Sequence, residues 1–235
     1  MNPLYLQVKK RITESLAEGL WNPGQSIPSE VELAQSFSVS QGTVRKAIDE
    51  LAAENILIRR QGKGTFVASH DEEGSQLRFL RLTSTQNNKE NLDNHLVSFT
   101  KEKATNKIAK SLGVNIGTTV VSIKRVLTFN QKPLILDFIK VPASSFRKLT
   151  SEMIVEKKGA MYRMYETEFG IQMLRAQEKI RAVAADADTS ELLGVKKNTP
   201  VLSVERISLT YSDKPIEWRL GLCLTENHHY ASELD

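Results

Sequence analysis

One stretch of this chain occurs twice, and that repeat limits the folds available to it. Residues 112–125 read LGVNIGTTVVSIKR and residues 193–206 read LGVKKNTPVLSVER, with seven of the fourteen aligned positions identical. Each copy runs on into a strand-like segment, a turn with Lys-Pro (Lys132-Pro133, Lys214-Pro215) and another strand-like segment. Gly113 and Gly194 follow the last apolar residue of a short helical pattern, where a left-handed stop is needed. The β-branched runs behind them favour strands. A solenoid needs about three or more repeats to bury a continuous core. Two copies instead predict an α+β domain with a mostly antiparallel sheet, to which 159–170 and 171–184 add a helix and a strand.

The repeat also carries charge into apolar surroundings. Arg125 and Arg206 stand at equivalent places. Asp137 lies among Ile135, Leu136, Phe138 and Ile139, and Glu217 precedes Trp218 on the matching strand. Charges on such strands must be paired or must bind something. Two internal Arg–carboxylate pairs that hold the sheet, or a polar pocket, both satisfy this.

The first 68 residues read differently. Tyr5, Val8, Ile12, Leu16 and Leu20 recur at helical spacing over 4–20, and Asn22-Pro23-Gly24 breaks the pattern. Ser29-Glu30-Val31-Glu32 is a capping box that starts a helix to about Phe37. Ser40 caps a second helix that runs to about Glu54, where Asn55 is a plausible stop. Its apolar face is Val44, Ala47, Ile48 and Leu51. The segment RRQGKGTFV, Arg59 to Val67, suggests a phosphate loop, yet Gly62 and Gly64 are two apart and a strand, not a helix, follows. It therefore reads as a hairpin with a cationic tip.

Two short helices and a hairpin describe a winged helix-turn-helix. Its second helix would meet the major groove with Ser40, Gln41, Gly42, Thr43, Arg45 and Lys46. Ser40, Thr43 and the helix N-terminus suit phosphate oxygens. Arg45 suits a guanine edge, unless it pairs with Asp49 on a solvated face. Lys46 suits a phosphate. The wing tip would reach the backbone or minor groove. Bulk charge does not argue for DNA: residues 1–70 hold eight Lys/Arg against seven Asp/Glu. Only their placement does.

These motifs carry a family resemblance. PLYLQVKKRI, G-x-W-x-P-G-x-x-I-P-S-E-x-E-L-A, V-S-x-x-T-V-R-K-A-I-x-x-L and RRQGKGTFV closely resemble the GntR family of bacterial transcriptional regulators. The resemblance implies a dimer on a near-palindromic operator. It implies DNA contacts from Ser29 and Glu30, from Ser40, Thr43, Arg45 and Lys46, and from Gln61, Gly62, Lys63, Gly64 and Thr65. Many members have arginine where this chain has Gln41, so one cation is missing there.

Residues 77–235 resemble the UTRA effector domain of the HutC-type subfamily through Ser98-Phe99-Thr100, the two repeats, KPLILDFIKVP and KPIEWRL. That resemblance implies a chorismate-lyase-like fold and an effector site lined by Arg125, Asp137, Tyr162 and Glu217, with backbone groups near Ser98, Phe99 and Thr100; Arg206 joins them by the repeat. Sugar-phosphate binders of the subfamily have an arginine at the position of Leu127, a serine at Ala160 and a tyrosine at Cys223. Their absence points to a smaller carboxylate or amine.

The division expected is 1–68 for DNA binding, 69–76 (SHDEEGSQ) as a linker and 77–235 for the effector. Within the last part, 77–82 reads as a strand and 83–94 as loose and polar. The function expected is a ligand-responsive transcriptional repressor that binds operator DNA as a homodimer and is controlled by a small metabolite in the C-terminal domain; the alternative is a lyase-like enzyme fused to a DNA-targeting module. A lone cysteine, Cys223, excludes an internal disulfide and a cysteine-based zinc site, and reads as a small apolar core residue. His228-His229 reads as surface, and no metal or cofactor is expected. No apolar run approaches the ~18 residues of a membrane span, and the N-terminus lacks a signal-peptide core, so the expected compartment is the cytoplasm.

Overall fold

The structure is a computed structural model that describes residues 3–69, 81–85, 92–156 and 160–232. The first unit contains α1 (Leu4–Ala17), α2 (Glu30–Phe37), α3 (Gln41–Ala53) and the hairpin β1 (Leu57–Arg60) and β2 (Gly64–Val67). Helix α1 ends at Ala17, earlier than the apolar spacing suggests, and Leu20 beyond it is exposed. The Ser29 capping box forms with Glu32. Ser40 caps α3 by accepting from the Thr43 amide, and Asn55 has φ 56° just past the helix. Val8, Ile12 and Leu16 pack against Val44, Ile48, Leu51, Leu33 and Leu57. This core binds the two short helices to α1 and the hairpin.

The second unit is built on a six-stranded antiparallel sheet in the order β4-β5-β6-β9-β8-β7. Its strands are β4 (Leu92–Lys103), β5 (Thr119–Phe129), β6 (Lys132–Pro142), β7 (Arg175–Ala184), β8 (Pro200–Leu209) and β9 (Pro215–Cys223). Strand β4 begins at Leu92, inside the stretch expected to be loose. Strand β3 (Leu82–Ser84) pairs with β10 (His228–Tyr230) in a small separate ribbon; the expected strand at 77–82 otherwise lies outside the described residues, as does most of the expected linker.

The repeat is now visible as two β-α-β-β units. Helix α4 (Asn106–Leu112) sits between β4 and β5, and α7 (Ala187–Leu193) between β7 and β8. Gly113 and Gly194 close them with φ of 63° and 67°. The units meet at β6 and β9, where Phe138 faces Leu220. Those two residues are equivalents when the Lys-Pro turns are aligned, so the two units are related by an approximate twofold axis at that pair.

Alternation sorts the sheet's residues by face. Helices α4 and α7 cover one face over Val120, Val126, Leu136 and Trp218. On the other face α6 (Met161–Phe169) and α5 (Ser151–Glu156) lie over Val121, Ile123, Ile139 and Val141. On that same face the β3–β10 ribbon covers Leu127, Phe129, Ile135 and Cys223. A row of charged side chains runs across the strands between these two apolar clusters.

Candidate functional site

That row is a buried ionic seam. Arg125 on β5 donates from Nε (3.1 Å) and Nη2 (2.9 Å) to Asp137 Oδ2 on β6. Arg219 on β9 lies between two acids: its Nη1 is 3.5 Å from Asp137 Oδ2, while Nε and Nη2 each reach Glu217 at 3.0 Å. Arg206 on β8 donates to Glu178 on β7 at 2.7 Å. Gly221 stands opposite Asp137 in the register, and a Cβ there would meet Asp137 Oδ1 at 3.3 Å. The missing side chain leaves room for the carboxylate.

Helix α6 closes the seam from above. Tyr162 Oη donates to Glu217 Oε1 at 3.0 Å and lies 3.1 Å from Ser208 Oγ; Tyr165 Oη donates to Glu217 Oε2 at 2.9 Å. Arg206 Nη1 reaches the Tyr162 oxygen at 3.3 Å, and the Arg219 guanidinium lies over the Tyr162 ring. Glu217 is 0% exposed, so these donors replace its water. Burial drives both phenols above their usual range, and for Tyr165 the Glu217 charge adds to it. They therefore stay protonated as donors. Burial works against the charge on Arg219, but the carboxylates of Glu217 and Asp137 outweigh it and hold the proton firmly.

The structure thus brings together Arg125, Asp137, Tyr162, Arg206 and Glu217. It pairs them differently from the sequence expectation of two matching Arg–carboxylate pairs. Arg125 does hold Asp137, but Arg206 takes its ion pair from Glu178 and Glu217 takes its own from Arg219. The reason is register: Glu178 faces Arg206 across β7 and β8, while Glu217 faces Ser208. Arg219, Tyr165, Ser208 and Glu178 were missed. Arg219 alone carried a sequence signal, because aligning the Lys-Pro turns sets it against Asp137.

Ser98 and Thr100 sit on the outer strand β4 with exposed side chains, while Phe99 between them packs into the cluster beneath α6. Cys223 is buried beside the seam, and burial pushes its thiol up to about 12. His229 is exposed, and His228 lies edge-on to Phe129. Among the described residues no group of three or more His, Cys, Asp or Glu could hold a metal ion, and no helix is long and apolar enough to cross a membrane.

The other candidate surface is the N-terminal end of α3. Ser40 Oγ lies 2.9 Å from Thr43 Oγ1, and Gln41, Gly42, Arg45 and Lys46 are exposed around it. Arg45 does not pair with Asp49. Its Nε donates to Glu30 Oε2 at 3.0 Å, and Gln41 Nε2 reaches the same oxygen at 3.3 Å. Arg59 on β1 donates to Glu30 Oε1 at 3.0 Å and to Asp49 Oδ1 at 2.7 Å. Burial tends to raise the Glu30 carboxyl, but hydrogen bonds from Arg59, Arg45 and Gln41 outweigh it and hold it below the usual range. Glu30 therefore orients two arginines on one face and ties the hairpin to both helices. Lys46 Nζ lies 4.1 Å from the Tyr5 ring centre. At the hairpin tip Gln61, Gly62, Lys63 and Gly64 are exposed, with φ of 71° at Gly62 and 109° at Gly64. Sequence reasoning missed Arg59 and Tyr5 as partners in this face.

Known proteins share both halves. Residues 4–67 match the gntR family of bacterial regulatory proteins, and residues 88–229 match the UTRA domain. The mannosyl-D-glycerate transport/metabolism system repressor MngR of Escherichia coli is 30% identical over 213 residues, covering 89% of this chain and 85% of that protein. The HTH-type transcriptional repressor NagR of Bacillus subtilis is 26% identical over 234 residues, covering 99% and 95%. Among solved structures, the ligand-binding domain of a GntR-family regulator from Bordetella bronchiseptica aligns with a TM-score of 0.63 at 39% identity, over 66% of this chain and 96% of that one. PhnF from Mycobacterium smegmatis aligns with a TM-score of 0.56 at 25% identity, over 97% and 99%. The first three of these are named as regulators, and they displace the alternative of a lyase-like enzyme. With its winged helix-turn-helix and its UTRA domain, this chain belongs to the GntR family of bacterial transcriptional regulators.

Proposed function

We propose that this regulator is a repressor of the HutC-type subfamily that binds operator DNA as a homodimer and responds to a small molecule in the ionic seam. The observation that carries the DNA reading is the pair of arginines, Arg45 and Arg59, set by Glu30 beside the N-terminus of α3. The proposed contacts are Ser29, Glu30, Ser40, Gln41, Gly42, Thr43, Arg45 and Lys46, with Gln61 to Thr65 of the wing on the backbone. A dimer suits the twofold symmetry of operators. We divide the chain at 1–68, 69–76 and 77–235. A regulator of bacterial genes works in the cytoplasm.

The proposed effector site is Arg125, Asp137, Tyr162, Arg206 and Glu217, with Phe99 beneath α6 and the backbone of Ser98 and Thr100 at its β4 side. Its ligand is a small carboxylate or amine. Each seam arginine holds a carboxylate, so an entering anion must displace an acid from its arginine. An entering amine must displace an arginine from its acid. A net charge left unpaired there would be costly, which favours small ligands that exchange partners one for one.

The test is fluorescence anisotropy with labelled duplex from the region upstream of the protein's own gene, with and without fractionated small metabolites. Tight, salt-dependent binding that Arg45→Ala weakens by about 1–3 kcal/mol is the expected result. One metabolite fraction should shift it. Equal binding to random duplex, unchanged by Arg45→Ala, would remove the reading of α3.

A further inference from the structure

Helix α6 reaches both halves of the molecule. Tyr162 and Tyr165 hold Glu217 in the seam. The next residue, Glu166, is buried and accepts a hydrogen bond from Ser69 Oγ, just beyond the winged-helix unit. Past the Gly170 cap, buried Gln172 donates from Nε2 to the Ala68 carbonyl, and its Oε1 accepts from Tyr211 Oη at 2.6 Å. Leu174 completes the helical core of the first unit, and Tyr211 packs against that core. One short segment, 162–174, therefore bonds the seam at one end and the DNA-binding unit at the other.

We propose that this segment is a rigid connector, with Glu166 and Gln172 as positioning residues that make DNA binding sensitive to the seam. The inference rests on the reading of the seam as the effector site. Met161, Met164, Tyr165 and Met173 are buried against the sheet, and close-packed side chains move between discrete arrangements and do not deform smoothly. A ligand group that takes Glu217 from the two phenols removes what fixes α6 from within. Glu166 and Gln172 move with the helix, so their bonds to Ser69 and Ala68 break or re-form in another position. The docking of the first unit changes in the same step. The coupling is reciprocal: DNA that favours one docking favours one state of the seam.

The test needs no identified ligand. Hydrogen exchange is measured on the full chain over residues 66–69 and 171–174. Gln172→Ala breaks the junction directly and sets the scale. Tyr165→Phe removes one phenol from Glu217 and leaves the side chains of Glu166 and Gln172, which bond the junction, unchanged. The expected result is exchange at the junction about fivefold or more faster in Tyr165→Phe, approaching that of Gln172→Ala. Junction exchange in Tyr165→Phe within about twofold of wild type, while Gln172→Ala accelerates it, overturns the connector. Exchange over 139–141 reports any general loosening under α6. If that rises too, Glu217→Gln, which keeps both phenols, is read by the same criterion. Anisotropy with the upstream duplex runs alongside. Tyr165→Phe should shift the Kd about fivefold or more, and the shift should vanish in the Gln172→Ala background. A wild-type protein that binds no duplex defeats the regulator reading; unchanged junction exchange defeats the connector alone.

Discussion

Asp137 and Arg219 hold equivalent positions in the two copies of the repeat, and they bear opposite charges 3.5 Å apart. They lie beside the Phe138–Leu220 pair, where the approximate twofold brings the copies together. Two identical residues at such positions would set like charges side by side in a site with little water. The divergence of one copy to acid and the other to arginine removes that repulsion, and it gives the seam its alternating signs from β5 to β7.

Asp137 accepts from two arginines, Arg125 and Arg219. Asp137→Ala leaves Arg125, 1% exposed, without its carboxylate. The expected loss is about 3–5 kcal/mol of folding stability, the cost of breaking a buried pair from one side. Asp137→Asn keeps an acceptor and should lose less. Urea titrations followed by circular dichroism measure both, with an unchanged m-value required for a clean reading.

Gly221→Ala should also destabilise, by about 1–3 kcal/mol, as overpacking does. The added Cβ stands 3.3 Å from Asp137 Oδ1, and the carboxylate cannot retreat because Arg125 and Arg219 hold it. In the Asp137→Ala background the obstacle is absent. The same glycine substitution should then be nearly neutral, so a double-mutant cycle isolates the contact.

Glu205 gives a pH signature. Lys107 Nζ reaches its Oε1 at 2.6 Å and Trp218 Nε1 donates to the same atom at 2.8 Å, tying α4 to the sheet. The Lys107 bond, assisted by Trp218 and opposed by burial, holds this carboxyl below the usual range. A carboxyl lowered on folding contributes stability that is complete above its unfolded value and is lost as pH falls through the folded value. Trp218 emission should therefore change in acid, below the usual carboxylate range, and Glu205→Gln should flatten that limb. An unchanged acid limb in the variant would assign it to another group.

Glu30→Ala should separate affinity from specificity. It releases Arg45 and Arg59 from their shared acceptor and removes a negative charge from the DNA face. Binding to random duplex should strengthen, because one charge opposed to phosphate is gone. The ratio of operator to random binding should fall, because Arg45 is no longer held for base contact. Anisotropy over a range of salt concentrations reads both; a ratio that holds or rises would deny Glu30 its orienting role.

Much of this protein was legible in the residues alone, where the signal is local. The Ser29 capping box, the Ser40 cap, the stop at Asn55 and the glycine closures at 113 and 194 each depend on a few neighbouring residues, and each formed where the spacing put it. The Lys-Pro turns and the β-branched runs likewise placed the hairpins β5–β6 and β8–β9. The partners of the charged side chains were decided elsewhere. Arg206 meets Glu178, Arg45 meets Glu30 and Arg219 meets Asp137 through strand register and helix packing. A shift of one residue in register would turn each side chain to the other face. The sequence by itself determined the helix caps, the helix stops and the hairpin turns, and that charge would be buried in the repeat. The tertiary structure alone decided which charges meet, because those distances are set by contacts between segments far apart in the chain.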